Sequence, residues 1–124
     1  MWNMIKKVFI SQPMTGLEEK DILAIRNNAI KDIKEMSKQI KIDVEIIDSY
    51  ITDATRIYVE SMFDNIENWD IYWLGRSLEK LAEANVLWLV DGWEQSKGCN
   101  IELECAKRYG IEISYPPEGR NNGE

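Results

Sequence analysis

The sequence predicts an α/β fold with a doubly wound, mainly parallel sheet of four to five strands flanked by helices, Rossmann-like or flavodoxin-like in outline. Three observations predict it. Four short runs of β-branched and aromatic residues punctuate the chain, amphipathic helical stretches lie between them, and 124 residues suit one hydrophobic core better than two. Strands separated by helices need crossover connections, and crossovers within one sheet are right-handed and leave the strands parallel.

The first strand is Lys7-Val8-Phe9-Ile10. Ile22, Ile25, Ala29, Ile33, Met36 and Ile40 then recur at steps of three and four, which sets them on one stripe of a helix. Val44-Glu45-Ile46-Ile47 is the second strand. From Ser49 to Asp70 the residues Ile57, Val59, Met62 and Phe63 fit either a short helix or an irregular excursion, and the pattern does not choose between them. A helix over roughly Ile71 to Ala84 turns Leu74, Leu78 and Leu81 inward. Val86-Leu87-Trp88-Leu89-Val90 is the third strand, and a last helix from about Cys99 to Tyr109 stops at Gly110. It leads into the fourth strand, Ile111-Glu112-Ile113-Ser114-Tyr115. Pro116-Pro117 ends that strand, so one domain spans 1–115, and the Gly-, Asn- and charge-rich residues 116–124 form an expected disordered tail.

Composition narrows the function classes. With 44% hydrophobic and 30% charged residues the chain is ordinary globular material, and no apolar run reaches the ~20 residues a membrane-spanning helix needs. MWNMIKKVFI lacks a signal-peptide core, and Cys99 and Cys105, six apart on one helix, face different directions and cannot bridge. Both point to a cytoplasmic protein with reduced thiols. The chain has no histidine, which removes Ser-His and Cys-His pairs and the commonest zinc ligand. Neither loops nor carboxylates show a metal-ligand spacing, so no metal or organic cofactor is expected. A net charge of -7 opposes a nucleic-acid polymer and favours a small ligand.

Ligands of open parallel sheets bind beyond the carboxyl ends of the strands, where loops converge and helix N-termini aim their amides. Two loops meet that rule. Ser11-Gln12-Pro13-Met14-Thr15-Gly16 follows the first strand and offers hydroxyls, an amide and a glycine that lets a ligand approach the backbone; Asp91-Gly92-Trp93-Glu94-Gln95-Ser96-Lys97-Gly98 follows the third. The first loop is neither a Walker A loop nor GxGxxG, and it also reads as a plain strand-to-helix turn. Asp91 either orients a sugar hydroxyl or bonds its own glycine turn. Trp69, Tyr72, Trp73 and Trp93 read either as base platforms or as core and subunit contacts, Trp93 bordering the cleft.

Glu102 is the candidate catalytic group. On a helical wheel Lys97, Asn100, Glu104, Lys107 and Arg108 share a polar face, whereas Glu102 projects between Ala106 and Tyr109 on the apolar side formed with Cys99, Ile101, Leu103 and Cys105. Burying an unpaired carboxylate costs several kcal/mol and raises its pKa, so this placement implies a partner or a function. The structural alternative is that Glu102 caps its own helix or pairs with Arg26 or Arg76.

With these residues placed, the chain resembles the nucleoside 2-deoxyribosyltransferase-like superfamily, and within it a subfamily of small, often phage-encoded proteins. The resemblance rests on Val8 through Gly16 and on a block running from Trp73-Leu74-Gly75-Arg76-Ser77-Leu78 through Gly92 to Glu102, and on to Ala106, Tyr109 and Gly110. It implies cleavage of an N-glycosidic bond, or deoxyribosyl transfer, on a 2-deoxynucleoside or its 5-prime monophosphate. Glu102 matches the glutamate that attacks the anomeric carbon, while Ser96 and the Gly98 amide would hold the sugar or its phosphate. The superfamily's enzymes carry an aspartate early in the helix before the third strand; here Gly75-Arg76-Ser77-Leu78 stands there, and Asp91, Asp70 or Asp48 would have to substitute. The alternative function is a catalytically silent nucleotide-binding module using the same cleft. Sheet edges, exposed aromatics and the resemblance all imply a homodimer or larger homo-oligomer.

Overall fold

The computed structural model describes residues 5–117. Met1 to Met4 and residues 118–124, most of the expected tail, lie outside the described residues. Four strands form one parallel sheet: β1 (Ile5–Ser11), β2 (Asp43–Ile46), β3 (Val86–Leu89) and β4 (Glu112–Ser114), in the order β2-β1-β3-β4. Helix α1 (Glu19–Ile40) joins β1 to β2, α2 (Asp53–Met62) and α3 (Trp69–Leu81) join β2 to β3, and α4 (Lys97–Arg108) joins β3 to β4. The α/β class, the parallel sheet and the flavodoxin-like strand order agree with the expectation from periodicity.

β1 is the hinge of the arrangement. Its amino half pairs with β2, Ile5 with Asp43 through Val8 with Ile46, and its carboxyl half pairs with β3, Val8 with Val86 through Ser11 with Leu89. The pleat then sorts its side chains. Val8 and Ile10 turn to one face and pack with Ala29 and Ile33 of α1, whereas Phe9 turns to the other and packs with Leu81 of α3 and Leu103 and Ala106 of α4. Two cores, one on each face, define a doubly wound sheet. The chain leaves β1 toward one face and β3 toward the other, so the two exits diverge at the carboxyl rim, the place where sheets of this kind bind ligands.

Several boundaries and faces differ from expectation. The undecided segment after Ser49 contains α2, started by Thr52, whose hydroxyl accepts the Thr55 N–H. α3 begins at Trp69, two residues early, because the Asn68 side chain accepts the Ile71 N–H and caps it there. α4 begins at Lys97 because Ser96 accepts the Cys99 N–H. On α1 the inward stripe is Ile22, Arg26, Ala29 and Ile33, while Ile40 is exposed. Arg26 is tolerated inside because its guanidinium donates to the Ile47 carbonyl at 3.0 Å, an acceptor beyond the end of β2; burial lowers its pKa, and Asp48 opposes the shift. On α4, Ile101 is exposed and Tyr109 is 83% exposed, so the apolar side is narrower than the wheel implies.

Candidate active site

Ser11 is the last residue of β1, and the alternation that sends Phe9 toward α4 sends Ser11 the same way. There its Oγ–H donates to Glu102 Oε1 at 2.6 Å. From α3, one turn beyond Trp73, the Ser77 Oγ–H donates to Glu102 Oε2 at 2.5 Å. Each carboxyl oxygen thus receives one hydroxyl, from two different elements. Glu102 is only 7% exposed. Burial raises its pKa above the ordinary 4.5, and the Ser11 and Ser77 hydrogen bonds pull against that rise by favouring the charged form.

The alternative partners are engaged elsewhere. Arg26 bonds the Ile47 carbonyl, and Arg76 pairs with Glu79 on its own helix at 3.6 Å. Among the described residues no lysine or arginine forms an ion pair with Glu102. Nor does Glu102 cap its helix, since Ser96 holds that place. Cys99, one turn before Glu102 on the same buried face, has its thiol pKa raised by burial, with Ser11 and Ser96 hydrogen bonds opposing the shift and the Glu102 charge adding to it. Cys99 and Cys105 are both free thiols.

The two loops named from sequence meet at this rim. A Cβ on Gly92 would lie 3.7 Å from Pro13 Cγ, and Gly92 holds φ +89°, a conformation that favours glycine. The Ser11 carbonyl accepts the Val90 N–H at 3.0 Å, which ties the exits of β1 and β3 together. Gln12 is buried, but its amide is spent on the Ile22 carbonyl at 3.0 Å, so it fastens loop to helix. Pro13 is half-buried; Met14, Thr15 and Gly16 are exposed, turning through a Leu17 N–H to Met14 carbonyl bond with Gly16 at φ +81°. Asp91 and Ser96 are half-buried, as is Gly98 in the first turn of α4. Trp93 opens a 3₁₀ turn (Trp93–Gln95), packs on the core and lies 5.9 Å from the Tyr115 ring.

Two residues of this site make contacts that the sequence does not foretell. Ser77 was legible only as the residue near the place of a family aspartate, and its contact with Glu102 depends on how α3 crosses α4. Asn100, on the polar face of α4, donates through Nδ2 to the Trp93, Glu94 and Ser96 carbonyls at 3.3, 3.0 and 2.8 Å and so clamps the second loop. Trp69, Tyr72 and Trp73 form one edge-and-stack cluster. A separate groove of about 600 Å³ opens at the amino end of β3 and β4, beside Leu81, Asn85, Cys105 and Ile111. Among the described residues no His, Cys, Asp and Glu cluster is placed to hold a metal ion. Nor is any helix there long and apolar enough to cross a membrane.

Fold and site together define a parallel α/β domain with a buried carboxyl group held by two serines at the rim of its sheet. Within that class the chain belongs to the family described as Domain of unknown function (DUF4406), which it matches over residues 6–115. No curated protein and no solved structure matches it.

Proposed function

We propose that the protein cleaves the N-glycosidic bond of a 2-deoxynucleoside or its 5-prime monophosphate, or transfers the deoxyribosyl group, with Glu102 as the nucleophile. The observation that carries this reading is a buried carboxyl group, in no ion pair with a lysine or arginine among the described residues, fixed by Ser11 and Ser77 at the rim where ligands of parallel sheets bind. A carboxylate offers about four acceptor sites and the serines use two, so Glu102 keeps lone pairs for a reacting carbon. Free of an arginine it keeps its nucleophilicity, and a dry setting strengthens its attraction to oxocarbenium character in the sugar.

In the first step a carboxyl oxygen of Glu102 bonds to the anomeric carbon while the C–N bond breaks, its electron pair leaving with the base, which takes a proton from water. In the second step water or an acceptor base attacks the same carbon, the ester C–O bond breaks, and the carboxylate is regenerated. Asp91 completes the catalytic set by orienting the sugar. Ser11 and Pro13 through Gly16, with Gly92, Trp93, Ser96 and Gly98, line the substrate side, Gln12 holding the first loop in place from behind and the α4 N-terminus favouring a 5-prime phosphate. The free thiols fit a cytoplasmic setting.

One observation favours a second reading, a catalytically silent nucleotide-binding module: a serine, Ser77, supports Glu102 where the resembled enzymes place an aspartate. Incubation with the four deoxynucleosides and their monophosphates, followed by chromatography for free base, tests both. Base release lost in Glu102→Ala supports the nucleophile, and release that survives the substitution removes it. Calorimetric binding without release supports the silent module, and the absence of both binding and release defeats the two readings together.

A further inference from the structure

Ser11 holds the Glu102 carboxyl with a group that can rotate. A serine hydroxyl carries one hydrogen and two lone pairs, and turning about its C–O bond aims that hydrogen in any of three staggered directions. Ser11 is 1% exposed, so bulk water does not choose among them. Its hydrogen goes to Glu102 Oε1 at 2.6 Å, which leaves the oxygen as an acceptor for the group on its other side. That group is Cys99, 2% exposed, one turn before Glu102 on α4, with side-chain hydrogen bonds to Ser11 and Ser96.

One hydrogen per group decides the direction of these bonds. The Ser11 hydrogen cannot serve Glu102 and the sulfur at once, and a carboxylate is a far stronger acceptor than sulfur. Toward Cys99, Ser11 therefore accepts, and the thiol S–H donates. Ser96 accepts the Cys99 N–H at 3.2 Å as the cap of α4. With the S–H committed to Ser11, its own hydroxyl donates to the sulfur. The donors then run one way, from Ser96 through Cys99 and Ser11 to Glu102 Oε1.

We propose that Cys99 is a positioning residue for Glu102, its S–H bond to the Ser11 oxygen holding the Ser11 hydrogen on the carboxyl group. The role rests on the nucleophile assigned above. A hydroxyl that accepts one bond donates a stronger one, so the thiol stabilises the Glu102 charge without touching substrate. The groups that face Glu102 are Ser11 from β1, Ser77 from α3 and Cys99 from α4. Of these Cys99 alone is titratable, and burial keeps its thiol protonated at neutral pH.

Infrared spectroscopy of the S–H stretch, which falls clear of other protein bands, tests the bond in the full chain. The chain has two cysteines, so in a Cys105→Ser background the band belongs to Cys99. It should lie at the lowered frequency of a hydrogen-bonded thiol and move up in Ser11→Ala, while Ser96→Ala should move it less. The effect on Glu102 is read from the pH dependence of Tm, each variant against the same variant carrying Glu102→Gln. Cys99→Ala should carry the Glu102 window to higher pH by up to about half a unit, the size of a 10–30% change in one charge-assisted bond, and Cys99→Ser should return it. Under the proposed reaction Cys99→Ala also lowers kcat and leaves KM. A wild type without base release removes the reaction, and the band and the window still decide the bond. A band that Ser11→Ala leaves in place, a window that Cys99→Ala does not move, or one that Cys99→Ser moves as far overturns the proposal.

Discussion

A carboxylate shut away from water is stable only as far as donors replace its lost hydration. Ser11 and Ser77 supply one hydrogen bond each to Glu102, and the raised pKa says that the replacement is incomplete. The sign of the pH dependence follows. Because the folded pKa lies above the unfolded one, folding takes up a proton between the ordinary value of 4.5 and the raised value; stability falls as pH rises through that window and is level above it. Glu102→Gln keeps the shape and removes the charge, and under the proposed reaction it should abolish base release, as chromatography for free base would show. Its Tm at neutral pH should rise by a few degrees, the shift that about 1 kcal/mol gives in a domain of this size, and its Tm-against-pH curve should flatten across the window. Ser77→Ala acts oppositely. It withdraws a bond worth roughly 1.5–3 kcal/mol to an ionised group, so thermal melts should show a loss that is larger at pH 8 than at pH 5, and the acid limb of the activity profile should move to higher pH. The inward turn of Glu102 was legible in the sequence because helical periodicity reports facing. Its partners were not, since Ser11 and Ser77 lie 91 and 25 residues away along the chain and meet it only through packing.

Periodicity marks which residues share a side of a helix, but not which side meets the body. α1 and α4 follow the ordinary rule and were readable, save for Arg26, whose guanidinium found a carbonyl that no local pattern encodes. α2 buries none of its residues, so its stretch stayed ambiguous between helix and loop. Helix starts moved by two residues for a local reason, the caps of Asn68 and Ser96, which outrank hydrophobic spacing at an end. The second loop is an element in its own right, its backbone gathered by Asn100. Asn100→Ala should cost about 1 kcal/mol in denaturant unfolding, because the exposed carbonyls regain water. Hydrogen exchange should accelerate from Trp93 to Gly98, and KM should rise by more than kcat falls, as expected for a loop that positions substrate.

At the scale of the whole molecule, α2, α3 and the site are mechanically in series. Arg56 and Glu60 hold Trp73, Trp73 stands one turn from Ser77 on α3, and Ser77 holds Glu102. The fold itself was legible because it rests on many redundant signals, four strand runs and three helical patterns, any one of which could drift without changing the topology.

The parting of the chain at the ends of β1 and β3 is made by backbone path alone, to opposite faces of the sheet. A divergence of that origin does not depend on the side chains that line it: exchange of Ser11, Ser77 and Glu102 would remove the buried carboxyl group and its hydroxyl partners and leave the backbone path standing. The same rim can thus carry other side chains at these three positions without a change in the path of the chain.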